Sequence, residues 1–558
     1  MAAHGVRELF TLCGGHISPI LVACEQIGIR VLDTRHEATA VFAADAAARL
    51  RQDIGVAAVT AGPGITNTVT ALKNAQMAES PVLLLGGASP SLLKGRGALQ
   101  DIDQQTLVRS LCKFSARVTC VRNIVPTIRN AIATAKSGTP GPVFVELPID
   151  VLYPYKSVER EAGLSNAPKK GLVKTLLDAY VRTHIANTFS DAWQPEQPLL
   201  PLPVRVPRPT TAQIEQLANL LSSAERPLLL VGSQAMAPPV KADELAQTVE
   251  ALGVPAYLGG MARGLLGAHS VIQMRQERKT ALREADLVIL AGAVCDFRLS
   301  YGRVLSPRCK VVTINRNREQ MLKVCTPSSP VSSIGTSSAL EEDNGGDFVG
   351  TAAYTVLPRG PLQWLDPGAF GTLGCGAGFA LGAKAVHPDC PVLILYGDGA
   401  CGFSLMDIDS FVRHRLPVVA LIGNDACWAQ IARDQVPWFN SYIMPFYAVC
   451  MVFVNKPGNF SDPVQRQRWH SLHANYDEVG TALGANGIRL EEPIGDAELR
   501  DRLRQALAQC QGRRNSAVAE EKDDAGGNNG TTDDNGDQST VINALIGRTN
   551  FREGSISV

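Results

Sequence analysis

No sign dominates the charge of this 558-residue chain, in which 53 lysines and arginines balance 53 aspartates and glutamates. A nucleic-acid-binding surface needs a basic surplus gathered on one face, and no basic stripe is present, so nucleic acid is excluded as a partner. Cys-x-x-Cys pairs are also missing. The thirteen cysteines are scattered and odd in number, which fits reduced thiols in a core better than a disulfide framework or a thiolate metal site. No apolar run is long enough to span a bilayer; the strongest, Tyr442 to Val454, is short and holds Pro445. No secretory leader is visible at the start, and no internal repeat appears.

What is present is ordinary soluble α/β composition, 45% hydrophobic and 19% charged. The length predicts roughly three domains. The richest stretch is Pro391 to Ala426, PVLILYGDGACGFSLMDIDSFVRHRLPVVALIGNDA. Val392 to Tyr396 is a continuous apolar run, as expected of a parallel strand covered on both faces. Gly397, Gly399 and Gly402 are expected to let the backbone turn and approach a ligand. A helix follows whose N-terminus suits a phosphate, then a second apolar strand, then Asn424-Asp425. In a right-handed strand-helix-strand unit, Asp398 and Asn424 lie at the C-terminal ends of neighbouring strands. Two hard oxygens, a backbone carbonyl and a diphosphate compose an octahedral Mg²⁺ site.

The same letters fit G-x-G-x-x-G, and Asp425, 26 residues after Gly399, could serve as the ribose-binding acid of a dinucleotide fold. Asp398 argues against it. A carboxylate beside a bare pyrophosphate repels it, whereas with a metal between them it becomes a ligand.

GDG followed by an apolar strand and ND resembles the signature of the thiamine-diphosphate-dependent acetolactate synthase and 2-hydroxyacyl-CoA lyase superfamily. The resemblance implies that Asp398, the Asn424 side chain and the main-chain oxygen of Ala426 hold Mg²⁺. It implies that Gly397, Asp398, Gly399 and Ala400 meet the cofactor's diphosphate. TRHEATAVFAADAAARL (Thr34 to Leu50) is similar to the segment carrying the cofactor-activating glutamate, here Glu37. AGPGITNTVTALKNAQMAESPVLLLGG (Ala61 to Gly87) resembles the family's glycine-proline turn and following strand. GRGALQDIDQ (Gly95 to Gln104) resembles its substrate-side loop, with Gln100 facing the reacting carbonyl. GAFGTLGCGAGFALGAK (Gly368 to Lys384) resembles the element whose bulky residue, here Leu373 beside Gly374, props the cofactor into its bent shape. GGHISPILVACE, FVELPIDVLYPY, CDFRLSYGRVLS and LIGRTNFREGSISV look most like the animal lyases of the superfamily.

The implied fold has three domains, two parallel-sheet cofactor domains flanking a Rossmann-like central domain. Residues 1–155 would bind the aminopyrimidine, 156–209 link onward, 210–322 form the central domain, 323–344 link again, and 345–558 bind diphosphate and metal. Arg263, Arg298 and Arg303 are candidate contacts for a CoA or FAD diphosphate in the centre. His16 and His36 are candidate proton shuttles on which the sequence alone does not decide. Cys401 and Cys427 read as buried small residues beside the metal site.

The implied reaction is cleavage of a 2-hydroxyacyl-CoA to an aldehyde and formyl-CoA. Condensation of two 2-keto acids, with FAD bound, is the alternative, and a catalytically degenerate cofactor-binding relative is a third. A homodimer or homotetramer is implied, because in this family the activating glutamate and the metal site come from different subunits. The likeness further implies the endoplasmic reticulum membrane, facing the cytoplasm; the chain as written has no N-terminal anchor and is expected to be soluble. Ala2 to Gly15 is expected as the tail of a first helix. Residues 323–344, 438–475 and 512–540 depart from the family pattern, the last being rich in Asp, Asn and Gly as in a solvated loop.

Overall fold

The computed structural model describes residues 1–164, 172–192, 199–323, 331–335, 355–426, 473–491, 495–510 and 538–546, with Ala352 and Trp428. Departures 438–475 and 512–540, Cys427 and the last stretch that resembles the family, 541–558, lie wholly or mostly outside them. The chain divides into two compact units, residues 1–342 with 357–371, and residues 343–356 with 372–558.

Two six-stranded sheets build the first unit. One has the order β2-β1-β3-β4-β6-β5, from β1 (Glu8–Leu12), β2 (Arg30–Asp33), β3 (Gly55–Val59), β4 (Val82–Ala88), β5 (Phe114–Arg117) and β6 (Val143–Pro148). Every pairing is parallel. The central strands β3, β4 and β6 are buried at every residue, which is why they read as unbroken Val/Leu/Ala runs. The expected helical tail at Ala2–Gly15 is corrected here. Only Ala2–His4 makes a short helical turn, and Glu8–Leu12 is β1, because Leu9 and Phe10 are fully buried in the sheet.

Helix α1 (Ser18–Gln26) follows β1, and α2 (Glu37–Arg51) follows β2. Helix α2 is buried from Thr39 to Arg49, so its alanines are a packing requirement. A Cβ on Gly55 would come within 1.9 Å of Ala44 O, which means α2 lies directly on β3. Arg49 is buried yet satisfied: Nε and Nη2 donate to the two Asp45 carboxylate oxygens at 2.8 and 2.7 Å. Asn74 on α4 (Val69–Met77) also donates to Asp45, at 2.9 Å. A buried ion pair is tolerated when its remaining hydrogen-bonding capacity is filled in this way.

The second sheet has the order β12-β11-β10-β7-β8-β9, from β7 (Pro227–Val231), β8 (Ala256–Leu258), β9 (Gln273–Met274), β10 (Leu287–Ala291), β11 (Lys310–Asn315) and β12 (Val331–Gly335). Strand order reverses between β7 and β10, the Rossmann-like arrangement expected. In the second unit a parallel sheet runs β13-β14-β16-β15, from β13 (Leu393–Gly397), β14 (Val419–Asn424), β15 (Asn486–Leu490) and β16 (Thr540–Leu545). The α/β architecture of parallel sheets is therefore as the motifs implied. Among the described residues no helix is long and apolar enough to cross a membrane, and the ten described cysteines are free thiols.

Candidate active site

In the first unit the chemistry-bearing residues gather at the C-terminal edge of the first sheet. Order reverses there between β1 and β3, and the crevice outside such strand ends is where α/β sheets bind ligands. Glu37 opens α2 just after β2. It is 6% exposed, and its Oε2 accepts from Asn67 Nδ2 at 2.9 Å. At that burial Glu37 is not a solvated surface acid. His36 caps the same helix: its Nδ1 accepts from Ala38 N–H at 3.1 Å. The cap engages Nδ1 of this imidazole.

The glycine-proline turn after β3 places Gly62 at φ 63° and Pro63 at the first position of a one-turn helix, α3 (Pro63–Thr66). Gln100 lies against this turn, itself at φ 62°. A Cβ on Gly62 would come within 2.8 Å of Gln100 O, so glycine is required for the approach. The substrate-side loop is tied down by Gln104, which accepts from Gly62 N–H at 3.2 Å and donates to Gly87 O at 2.7 Å. Thr60 donates to Gln100 Oε1 at 3.5 Å, and the Thr60 hydroxyl meets His16 Nδ1 at 3.1 Å.

In the second unit β13 and β14 run parallel with Gly397 opposite Gly423. Asp398 and Asn424 are therefore the residues at adjacent strand ends, as expected. They are 3% and 1% exposed. Asp398 is the first residue of a one-turn helix (Asp398–Cys401) that also contains Gly399 and Ala400, with Gly397 as its cap. Asp398 Oδ1 accepts from Gly399 N–H at 2.8 Å. Gly397 and Gly402 have φ of −76° and −56°, and Gly399 is not among the positive-φ glycines. The segment is helical, so left-handed freedom is not why glycine stands there.

Asn424 is the better-held partner. Its Nδ2 donates to Ala474 O at 3.1 Å and to Asn543 Oδ1 at 3.0 Å, while its Oδ1 accepts from Ala426 N–H at 3.3 Å. Asn543 in turn donates to Ala474 O at 3.0 Å and to Asp477 Oδ1 at 2.8 Å. With its amide nitrogen committed twice, Asn424 keeps its carbonyl oxygen on the side of Ala426. Ala426 takes φ 52° and turns the chain at the strand end. A carboxylate, an amide oxygen and a main-chain carbonyl form a hard-oxygen donor set that fits Mg²⁺ beside a diphosphate. Tyr476 adds a brace, its hydroxyl donating to Asp398 O at 3.1 Å; burial pushes that phenol above its ordinary range. Sequence reasoning missed Asn543, Asp477 and Tyr476. The one available signal was an asparagine inside the otherwise apolar VINALIG.

Gly374 caps the helix Cys375–Val386 at φ 81°, directly after half-buried Leu373. A Cβ on Gly374 would lie 2.6 Å from Phe403 Cβ. The three central arginines are engaged elsewhere. Arg263 stacks on Trp364, Arg298 forks onto Asp296, and Arg303 lies over Tyr301. A cavity of about 740 Å³ does open in the first unit, lined by Arg205, Arg208, Ser233, Gln234 and Arg316 among others. It also touches Asp53 and Pro81, just before β3 and β4, and so lies at the opposite edge of the first sheet from Thr60.

Residues 1–107 match the family described as thiamine pyrophosphate enzyme, N-terminal TPP binding domain. Residues 214–336 match its central domain and 344–518 its C-terminal TPP binding domain. The chain is 49% identical to 2-hydroxyacyl-CoA lyase 2 of Caenorhabditis elegans and 47% identical to that of Homo sapiens. Each alignment covers 100% of this chain and 90% of the relative. Identity to acetolactate synthase large subunit IlvG of Mycobacterium tuberculosis is 31%, over 91% of this chain and 92% of that protein.

Proposed function

Because this chain belongs to the thiamine pyrophosphate enzyme family, we propose that it is a Mg²⁺-dependent carbon–carbon lyase cleaving 2-hydroxyacyl-CoA to an aldehyde and formyl-CoA. The coarser statement, a thiamine-diphosphate-dependent lyase or a close relative of one, follows from the family and from relatives named 2-hydroxyacyl-CoA lyase 2. The observation that carries the proposal is the register of Gly397 against Gly423, which sets Asp398 and Asn424 side by side.

When bound, thiamine diphosphate supplies a nucleophilic carbon that attacks a carbonyl and then stores the electron pair released on cleavage. In this proposal Asp398, Asn424 Oδ1 and Ala426 O hold the metal, and Gly397, Gly399 and Ala400 border the diphosphate. Glu37 holds a proton at a ring nitrogen of the aminopyrimidine, steadied by Asn67. Leu373 and Gly374 border the cofactor's bend, and Gln100 faces the substrate carbonyl. Glu37 and Asp398 are each buried within their own unit, which would keep water from the groups they hold.

The assembly we infer is a homodimer or a dimer of dimers. Placement at the endoplasmic reticulum membrane, facing the cytoplasm, rests on likeness alone and is tested by cell fractionation. For the nucleotide of CoA, the 740 Å³ cavity with Arg205, Arg208 and Arg316 is better supplied with cations than the stacked arginines named from sequence. The 31% relative favours one rival, acetolactate synthesis with bound FAD; flavin absorbance of the pure protein and acetolactate formed from pyruvate would establish it. The deciding experiment is calorimetric titration with thiamine diphosphate, with and without Mg²⁺, followed by aldehyde detection from 2-hydroxypalmitoyl-CoA. Tight Mg²⁺-dependent binding with aldehyde release supports the proposal. Absence of binding by the folded protein indicates a degenerate relative.

A further inference from the structure

His16 lies in the loop after β1, at the point where strand order reverses in the first sheet. Three neighbours fix its place. Its Nδ1 meets the Thr60 hydroxyl at 3.1 Å, just past the end of β3. On β4, a Cβ at Gly87 would come within 2.5 Å of His16 Cβ, so glycine there leaves room for the root of the side chain. Beyond Thr60 stands Gln100, whose Oε1 accepts from the Thr60 hydroxyl at 3.5 Å. The residue is half-buried.

The direction of these bonds sets the tautomer. With its own proton directed to Gln100, the Thr60 oxygen accepts from His16 Nδ1–H. The proton of the neutral ring is then on Nδ1 and the lone pair on Nε2. Nε2 has no hydrogen-bond partner among the described residues. The groups facing the ring from β3, β4 and the loop are a hydroxyl, a glycine and an amide. Cys13 is the other titratable residue of this loop, and Tyr153 reaches the loop from another element, its hydroxyl donating to Gly15 O at 3.1 Å. Burial alone lowers the imidazole below its ordinary range, with no charged group contributing.

We propose that His16 is a substrate-contacting catalytic base that accepts the proton of the 2-hydroxyl group as the C1–C2 bond breaks. The inference rests on the lyase reading above. In the step, the O–H bond breaks and an Nε2–H bond forms. The freed oxygen pair becomes the second C–O bond of the aldehyde, and the C1–C2 pair remains with C1. C1 later takes a proton to give formyl-CoA, so the balance is one proton moved from oxygen to C1, with no oxidant or reductant. Cleavage of a 2-hydroxyacyl thioester needs this base, and Glu37 and Asp398 are committed to the cofactor in the same reading. Thr60, which bonds both His16 and Gln100, then acts by holding the tautomer.

The test uses the full chain loaded with thiamine diphosphate and Mg²⁺, comparing wild type with His16→Gln and His16→Ala. Calorimetry should show cofactor affinity within about twofold of wild type in both. Turnover of 2-hydroxypalmitoyl-CoA, as kcat/KM, should fall by about 10²–10⁴-fold, the usual worth of a general base. The acid limb of the kcat/KM profile should vanish with it. Added imidazole should restore rate to His16→Ala but not to His16→Gln, which a merely structural role would not do. Independently of turnover, diethylpyrocarbonate should modify His16 in the cofactor-free protein, and 2-hydroxypalmitoyl-CoA should slow that modification. Wild-type kcat/KM with an intact acid limb in the variants would overturn the role of His16 alone. A wild type that binds cofactor yet releases no aldehyde would overturn the lyase reading and this inference with it.

Discussion

Asn424 and Asn543 stand on adjacent strands β14 and β16, and the amide nitrogen of the first donates to the amide oxygen of the second at 3.0 Å. One metal-ligand candidate is thereby oriented by a residue 119 positions away in sequence. Partners of this kind fix which face a ligand presents and tune its donor strength. Asn543→Leu should weaken Mg²⁺-dependent cofactor binding about 10–100-fold, read by calorimetry at varied Mg²⁺. Unchanged Mg²⁺ dependence would show that Asn424 keeps its orientation unaided.

Asp398→Ala removes the one carboxylate of the proposed donor set. Cofactor binding should then lose its Mg²⁺ dependence altogether, while thermal unfolding without cofactor changes little. Retained Mg²⁺-dependent affinity would rule out Asp398 as a ligand.

Glu37→Gln keeps a hydrogen-bonding side chain beside Asn67 but cannot exchange a proton. Cofactor affinity should stay largely intact while turnover falls by about 10²–10⁴-fold. The decisive comparison is calorimetry against aldehyde release on the same preparation; full activity in the variant would exclude the assigned role.

Gly55→Ala forces a methyl group into Ala44 O, which lies 1.9 Å from the ideal Cβ position. Backbone cannot rotate away as a side chain would, so α2 must lift from β3. Overpacking of this kind costs about 1–3 kcal/mol. A lowered urea midpoint with an unchanged slope is the expected result.

Glu79 is enclosed at the end of α4, where Gln234 Nε2 donates to it at 2.8 Å. Burial raises its carboxyl from 4.5 to about 8. Because the folded value is the higher one, its contribution to stability is full below the unfolded value and is lost as pH rises through about 8. Lys113, lowered by burial to about 8, has the opposite sense, and its contribution is lost as pH falls through that value. Urea midpoints of wild type should therefore drop between about pH 5 and about pH 8 relative to Glu79→Gln. Parallel curves for the two proteins would refute the assignment.

How legible the site was depended on the range of each interaction. The GDG turn and Asn424 were readable because each closes a short apolar run that reads as a buried strand, and strand ends locate ligands in parallel sheets, whereas Glu37 was named only through the resemblance of its segment. Thr60, Asn67, Tyr476, Asp477 and Asn543 were not, since their roles exist only through partners tens of residues away. The contacts of the arginines at 263, 298 and 303 were illegible for the same reason: charge is visible in sequence, but the aromatic ring or carboxylate beside it is not.

By itself, then, the sequence determined the parallel α/β architecture, the position of the diphosphate turn and the class of cofactor, because these follow from local hydrophobic runs and from motif letters in fixed order. Tertiary structure alone decided that Thr60 stands beside His16, which way the Asn424 amide is turned, and why α2 presents an alanine to Gly55. Those are properties of contact, created when distant strands pair and a side chain's donors and acceptors are spent on one neighbour rather than another.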